Sequence, residues 1–280
     1  QISGGAGTNT LIGSDIDSTY VINATGSDVI TRNGNRIADF TNIQTIQGGS
    51  GNDVFIVNRN IASLKGGAGD DTFTLNAKVT TLDGEGGNDL FDFSQSLISA
   101  VDTLKGGDGD NTILGRNAIN IWSIDEADVE SGTVSGVATN YIGSFEGIKH
   151  ITGGTEADTF NLNASFDGSI DAGDGNNIFN INTHVDNLRG GIHDDTFIFG
   201  LNGSAGTIDG HLGINSIQGR DQHSEWLITG DYQGVISNGH SQVYLNTFVN
   251  IQRLDGQSSN DNFVINGKVD HISAGGGDDE

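Results

Sequence analysis

The sequence predicts an all-β chain wound as a parallel solenoid, about 18–20 residues to the coil. Three observations carry this. A glycine-rich acidic phrase returns at Gly48, Gly66 and Gly84, 18 residues apart each time. Between phrases, apolar and polar residues alternate with the period of half-buried strands and not that of helices. Only 34% of the 280 residues are hydrophobic while 44 are Gly. The apolar side chains must therefore be used coil by coil, because they are too few for one large globular core.

In chain order the phrase reads GGAGTNTL from Gly4, GGSGNDVF from Gly48, GGAGDDTF from Gly66, GEGGNDLF from Gly84 and GGDGDNTI from Gly106. It returns as GGTEADTF from Gly153, AGDGNNIF from Ala172, GGIHDDTF from Gly190, GHLGINSI from Gly210, GQSSNDNF from Gly256 and AGGGDDE from Ala274. Each period holds two strands and two turns. The strand after the phrase is expected near 54–58, 72–76, 90–93, 159–163, 178–182, 196–199 and 262–266. Phe55, Phe73, Phe91, Phe160, Phe179, Phe197 and Phe263 each sit two residues past a turn acid or amide, and are expected to stack in one internal column. Asn58, Asn76, Asn163, Asn182 and Asn266 follow those strands and predict an asparagine ladder at the opposite turn, where αL geometry is tolerated. One coil cannot bury its apolar face alone, whereas stacked coils bury a continuous narrow core.

A longer period groups the phrases. Tyr20, Trp122 and Trp226 each open a stretch without a glycine phrase, and each stretch closes on a Phe, at Phe40, Phe145 and Phe248. The last phrase before each opening carries Asn in place of Asp, at Asn9, Asn111 and Asn215. The chain thus divides into tandem units of about 103 residues within one continuous solenoid over 1–280: the end of a unit at 1–18, units at 19–115 and 116–219, and a partial unit at 220–280. Regular spacing and apolar company make Trp122 and Trp226 core residues in preference to sugar-stacking platforms.

Charge narrows the partners. A formal net charge of −25 disfavours nucleic acid, which needs a basic surface, and points to cations. No apolar run is long enough for a membrane span. The absence of Cys removes disulfides and thiolate ligands. The start at Gln1 and the end within a phrase read as a piece of something longer. His150, His184, His193 and His223 share no metal-ligand spacing, and no nucleophile elbow or P-loop motif occurs, so the expectation is no enzyme. An acid-based site on a solenoid face remains the open alternative.

The phrase itself suits calcium. Ca²⁺ takes 6–8 oxygens, which glycine turns with positive φ can offer as carbonyls and Asp can supplement with charge. Asp53, Asp71 and Asp89 end three successive phrases, so stacking places three carboxylates in one row that repels itself without a cation.

Phrases such as GGSGNDVF and GGAGDDTF resemble the repeats-in-toxin (RTX) nonapeptide of large bacterial secreted and surface proteins. The resemblance covers most of the chain. It implies a right-handed parallel β-roll or β-helix with Ca²⁺ between the turns. Carried over residue by residue, it nominates Gly49, Gly51 and Asp53, then Gly67, Gly69 and Asp71, then Gly87 and Asp89. It extends to Gly107 and Gly109 and to Asp158, Asp195, Asp261 and Asp279. Two departures qualify it. The second half of each period, as in VNRNIASLK, lacks a glycine turn, so the calcium ladder is expected on one side only. Glu156 and His193 replace the fourth-position glycine, and Asn177 and Asn215 replace the Asp.

The expectation is a non-catalytic, calcium-stabilised segment acting as stalk, spacer or adhesive region of an extracellular protein. Its partners are calcium ions, neighbouring repeats of the same long chain, and a cell-surface glycan or protein. The alternatives are a surface-layer or filament subunit and a non-catalytic module of a polysaccharide-active enzyme.

Overall fold

In the computed structural model, the described residues are 1–96, 101–126, 131–136, 140–239 and 242–280, and every regular element among them is a β-strand. The fold is an all-β parallel solenoid, as the period requires. The chain packs as two compact units, Gln1–Arg116 with Ser131–His150, and Asn117–Glu130 with Ile151–Glu280.

In the first unit one sheet runs Ile2–Ser3, Asn35–Thr41, Asp28–Arg32, Thr19–Ile22, Val54–Val57, Thr72–Leu75, Leu90–Asp92, Thr112–Leu114. The facing sheet runs Thr10–Ile12, Thr45–Gln47, Ile61–Ala68, Val79–Gly86, Val101–Lys105, Asn140–Glu146, Ser131–Gly136. Register follows the sequence period directly: Val54 pairs with Thr72, Phe55 with Phe73 and Val57 with Leu75. Inward residues of both sheets are buried, as in Val54–Val57, where Phe55 and Val57 are covered and Val54 and Ile56 are half-exposed. The strands after the phrases match expectation to within a residue, for example Thr159–Leu162, Ile178–Ile181 and Thr196–Phe199.

The aromatic residues do not form one column. Tyr20, Phe55, Phe73 and Phe91 stack in the first unit with ring centroids 4.9, 4.9 and 5.2 Å apart and planes within 9° of parallel. Trp122, Phe160, Phe179 and Phe197 stack separately in the second, at 5.9, 4.9 and 4.7 Å, and Trp226 stacks on Phe263 at 5.3 Å. Each column is headed by the Tyr or Trp that opens the longer sequence period. Trp122 and Trp226 are core residues, 0% and 1% exposed.

The cause of the separation lies in the stretches without a glycine phrase. After Thr19–Ile22 the chain reverses into Asp28–Arg32 and again into Asn35–Thr41, three antiparallel strands of one sheet. Ser224–Gly230, Gln233–Asn238 and Val243–Val249 repeat this in the second unit. Each insertion makes the chain visit the sheets an odd number of times between phrases, which shifts the phase by half a coil. In the first unit the phrase from Gly4 leads into Thr10–Ile12 of one sheet, and the phrase from Gly48 leads into Val54–Val57 of the other. Except for the middle strand of the insertion, the strands of a sheet point the same way, so these turns lie on opposite edges. The same holds in the second unit for the turns ending at Asp195 and at Asp261. Within a run of coils the glycine turns keep to one side, and an insertion moves the next run to the other.

The asparagine ladder forms by side chain: Asn76 Nδ2 donates to Asn58 Oδ1 at 3.0 Å and Asn182 Nδ2 to Asn163 Oδ1 at 2.8 Å. None of these residues adopts positive φ, so their role is side-chain bonding and not left-handed backbone geometry.

Candidate functional site

Most of the glycine turns end in two consecutive acid or amide residues, the exceptions being those that end in Thr8 and Asn9, Ala157 and Asp158, and Ile214 and Asn215, and the fold uses the two in opposite directions. The second residue points inward. In the first unit the N–H of Ser18 donates to Asp53 Oδ1 (2.8 Å), that of Asp53 to Asp71 Oδ1 (2.7 Å), that of Asp71 to Asp89 Oδ1 (2.9 Å) and that of Asp89 to Asn111 Oδ1 (2.9 Å). In the second unit Asn120, Asp158, Asn177, Asp195 and Asn215 are linked the same way at 2.7–2.9 Å. A shorter row joins Ser224, Asp261 and Asp279. Asp53, Asp71, Asp89, Asp158, Asp195 and Asp261 are at most 1% exposed.

The first residue of each pair points outward and bonds the other way. Asn52 N donates to Asp17 Oδ1, Asp70 N to Asn52 Oδ1, Asn88 N to Asp70 Oδ1 and Asp110 N to Asn88 Oδ1, at 2.7–3.0 Å. This outer row was not singled out in the sequence, although the doublets ND, DD, ND and DN are its signal. Together the rows clip successive coils from both sides of the turn.

The glycines have two separate reasons. Gly67, Gly69, Gly87, Gly107 and Gly109 hold φ between +88° and +125°, which L side chains rarely adopt. Gly49 and Gly51 do not; they make room for the 14–17 segment, since a Cβ on Gly49 would strike Ser14 O and one on Gly51 the Asp17 N–H. The first glycine of the phrase serves the carboxylate: a Cβ on Gly66 would collide with Asp71 Oδ2, and one on Gly84 with Asp89 Oδ2.

That second oxygen is the unusual part of the site. Asp53 Oδ2 accepts Gly49 N–H at 3.0 Å and Asp158 Oδ2 accepts Gly154 N–H at 3.1 Å. Oδ2 of Asp71, Asp89, Asp195 and Asp261 is buried with no hydrogen-bond partner. Where Asn stands in the row, its Nδ2 fills the same place and donates to carbonyls: Asn111 to Gly147 O at 3.0 Å, Asn215 to Gly210 O at 2.8 Å and Asn250 O at 3.1 Å. At Asp71 and Asp89 an oxygen takes that place, and both it and a carbonyl lie near the first glycine of the phrase: a Cβ on Gly66 would touch Asp71 Oδ2 and Gly84 O, and one on Gly84 would touch Asp89 Oδ2 and Gly106 O. A buried acceptor without a donor is costly, and a proton or a cation at that oxygen would relieve it.

Burial accordingly raises these carboxyls from 3.8. Asp71 and Asp195 rise to about 7, and Asp89, Asp158 and Asp261 to about 6. Asp89 and Asp53 add to the rise of Asp71; the charges adding to that of Asp195 are Asp194 and Asp171, outside its row.

The donor set, carboxylate and peptide oxygens without nitrogen or sulfur, fits a hard divalent cation. Among the described residues no three acidic or His side chains gather at one point. Most ligands would therefore be backbone carbonyls, with Asp71 and Asp89 supplying charge. Gly107 and Gly109 shape a turn that ends in Asn111, so they bring no carboxylate to the inner row.

No protein-family model matches the chain, and comparison with curated proteins finds no match.

Proposed function

We propose that this chain is a non-catalytic, calcium-stabilised β-solenoid segment that serves as stalk, spacer or adhesive region of a large extracellular bacterial protein. The observation that carries the reading is the adjacent pair of buried, donorless carboxylate oxygens on Asp71 and Asp89, set among glycine carbonyls. A cation there turns a repulsive row into a cross-link between coils, so that binding energy becomes folding energy. Extracellular calcium then decides where the segment hardens. The acids of the turns are engaged with backbone N–H groups, which supports a structural use over a catalytic one.

The test is sedimentation of the chain in calcium across a range of concentrations, together with passage over glycan resins. A stalk stays monomeric and passes unretained. Ordered assembly with rising concentration would favour a surface-layer or filament subunit, and retention on a glycan resin would favour a non-catalytic module of a polysaccharide-active enzyme.

A further inference from the structure

The inner rows of the two units are built alike but filled differently. In the first, three carboxylates follow one another, Asp53, Asp71 and Asp89, before the row closes on Asn111. In the second, carboxylate and amide alternate: Asp158, Asn177, Asp195, Asn215. The backbone bonds are the same, so the difference is confined to the second atom of each side chain.

That atom decides how each row is compensated. In the second unit Asn120 Nδ2 donates to both oxygens of Asp158 at 2.9 and 3.1 Å. Asn177 Nδ2 donates to Gly175 O and Gly190 O at 3.1 and 3.2 Å. One donorless oxygen is left in this row, Asp195 Oδ2, and its row neighbours are both neutral amides. In the first unit two donorless oxygens are adjacent, and Asp71 has a carboxylate on either side, one coil away. Like charges one coil apart, about 4.8 Å, in a water-excluded turn repel strongly. No amide stands between them.

We propose that, of these two rows, only the contiguous one of Asp53, Asp71 and Asp89 requires a cation, and that the row containing Asn177 holds its coils together without one. The proposal rests on the calcium reading above. The coils of the Asn177 row are then permanently closed while those of the Asp53, Asp71 and Asp89 row harden with calcium, so the chain responds to calcium along only part of its length. The asparagines are the device, since each replaces an acceptor by a donor at no change in shape.

The test is hydrogen exchange of the whole chain, read by mass spectrometry in calcium and in chelator, comparing peptides over 54–92 with peptides over 159–199. Where calcium stood about 100-fold above a site's Kd, its removal should raise the opening population of the first segment about a hundredfold per site. The second segment should exchange alike in both solutions. Asn177→Asp places three carboxylates in succession and should make the second segment calcium-dependent; Asp71→Asn interrupts the first row and should relieve the first segment of its dependence. If both segments lose protection equally, or the second loses more, the confinement is wrong while the calcium reading stands. If neither segment responds, both fall.

Discussion

The backbone N–H of Asp71 donates to Oδ1 of Asp89, one coil on, at 2.9 Å. The bond fixes the carboxylate inside the solenoid, with its other oxygen against Gly84 and Gly106 O. Asp71 and Asp89 are thus structural carboxyls held where water does not reach them, and this has consequences for pH.

Without divalent cations, stability should fall as pH rises from about 4 to about 7. The folded-state values of about 7 for Asp71 and Asp195 and about 6 for Asp89, Asp158 and Asp261 lie above the ordinary 3.8. Between those limits the folded chain binds more protons than the unfolded one, so each such group stabilises fully below pH 3.8 and ceases to as pH passes its folded value. Melting curves in chelator at a series of pH values check this. A melting temperature that climbs between pH 5 and pH 7 contradicts the buried inner row.

Gly66→Ala should destabilise by about 1–3 kcal/mol through overpacking, because the new methyl would meet Asp71 Oδ2 and Gly84 O. Gly86→Ala is the control. Its nearest non-neighbouring atom is Gly67 O at 3.9 Å and its φ lies outside the left-handed region, so the change should be neutral or stabilise by up to about 1 kcal/mol. Urea denaturation of the two variants separates them; equal losses would mean that the first glycine of the phrase has no special role.

Phe73→Ala should cost about 3–5 kcal/mol, since the ring is fully buried between Phe55 and Phe91. Phe263→Ala should cost clearly less, because that ring is half-exposed and stacks on Trp226 alone among the aromatic residues described. Equilibrium unfolding of both variants tests the column assignment. A Phe73→Ala variant as stable as the parent would put this rank on the outside.

Much of this was legible in the sequence because a solenoid coil is a local object. Phe73 pairs with Phe55 and Phe91 at the sequence period itself, so strand positions and register follow from counting. The insertions were less visible. Asn33 and Gly34 join two of the antiparallel strands in a tight turn with φ of 48° and 75°, a hairpin signal. Its effect on the phase of every later coil, however, depends on how many strands lie between phrases and not on any one of them. The direction of Asp71 was hidden for another reason. Turn preference, an outward cation ligand and an inward backbone acceptor all select the same residue, and only Asn111 and Asn215, donating where Asp accepts, tell them apart.

The most direct test of the calcium account is a thermal melt of the chain in calcium, in magnesium and in chelator at neutral pH. Each independent site at calcium 100-fold above its Kd adds about 2.7 kcal/mol to the folded state. Two sites in the row of Asp53, Asp71 and Asp89 should therefore raise the melting temperature by about 10–20 °C. Magnesium should leave it near the chelator value, since carbonyl-rich turns do not supply its short octahedral shell. Three coincident melts would contradict the account and leave the glycine phrases as metal-free turns whose buried carboxyls are compensated by protons.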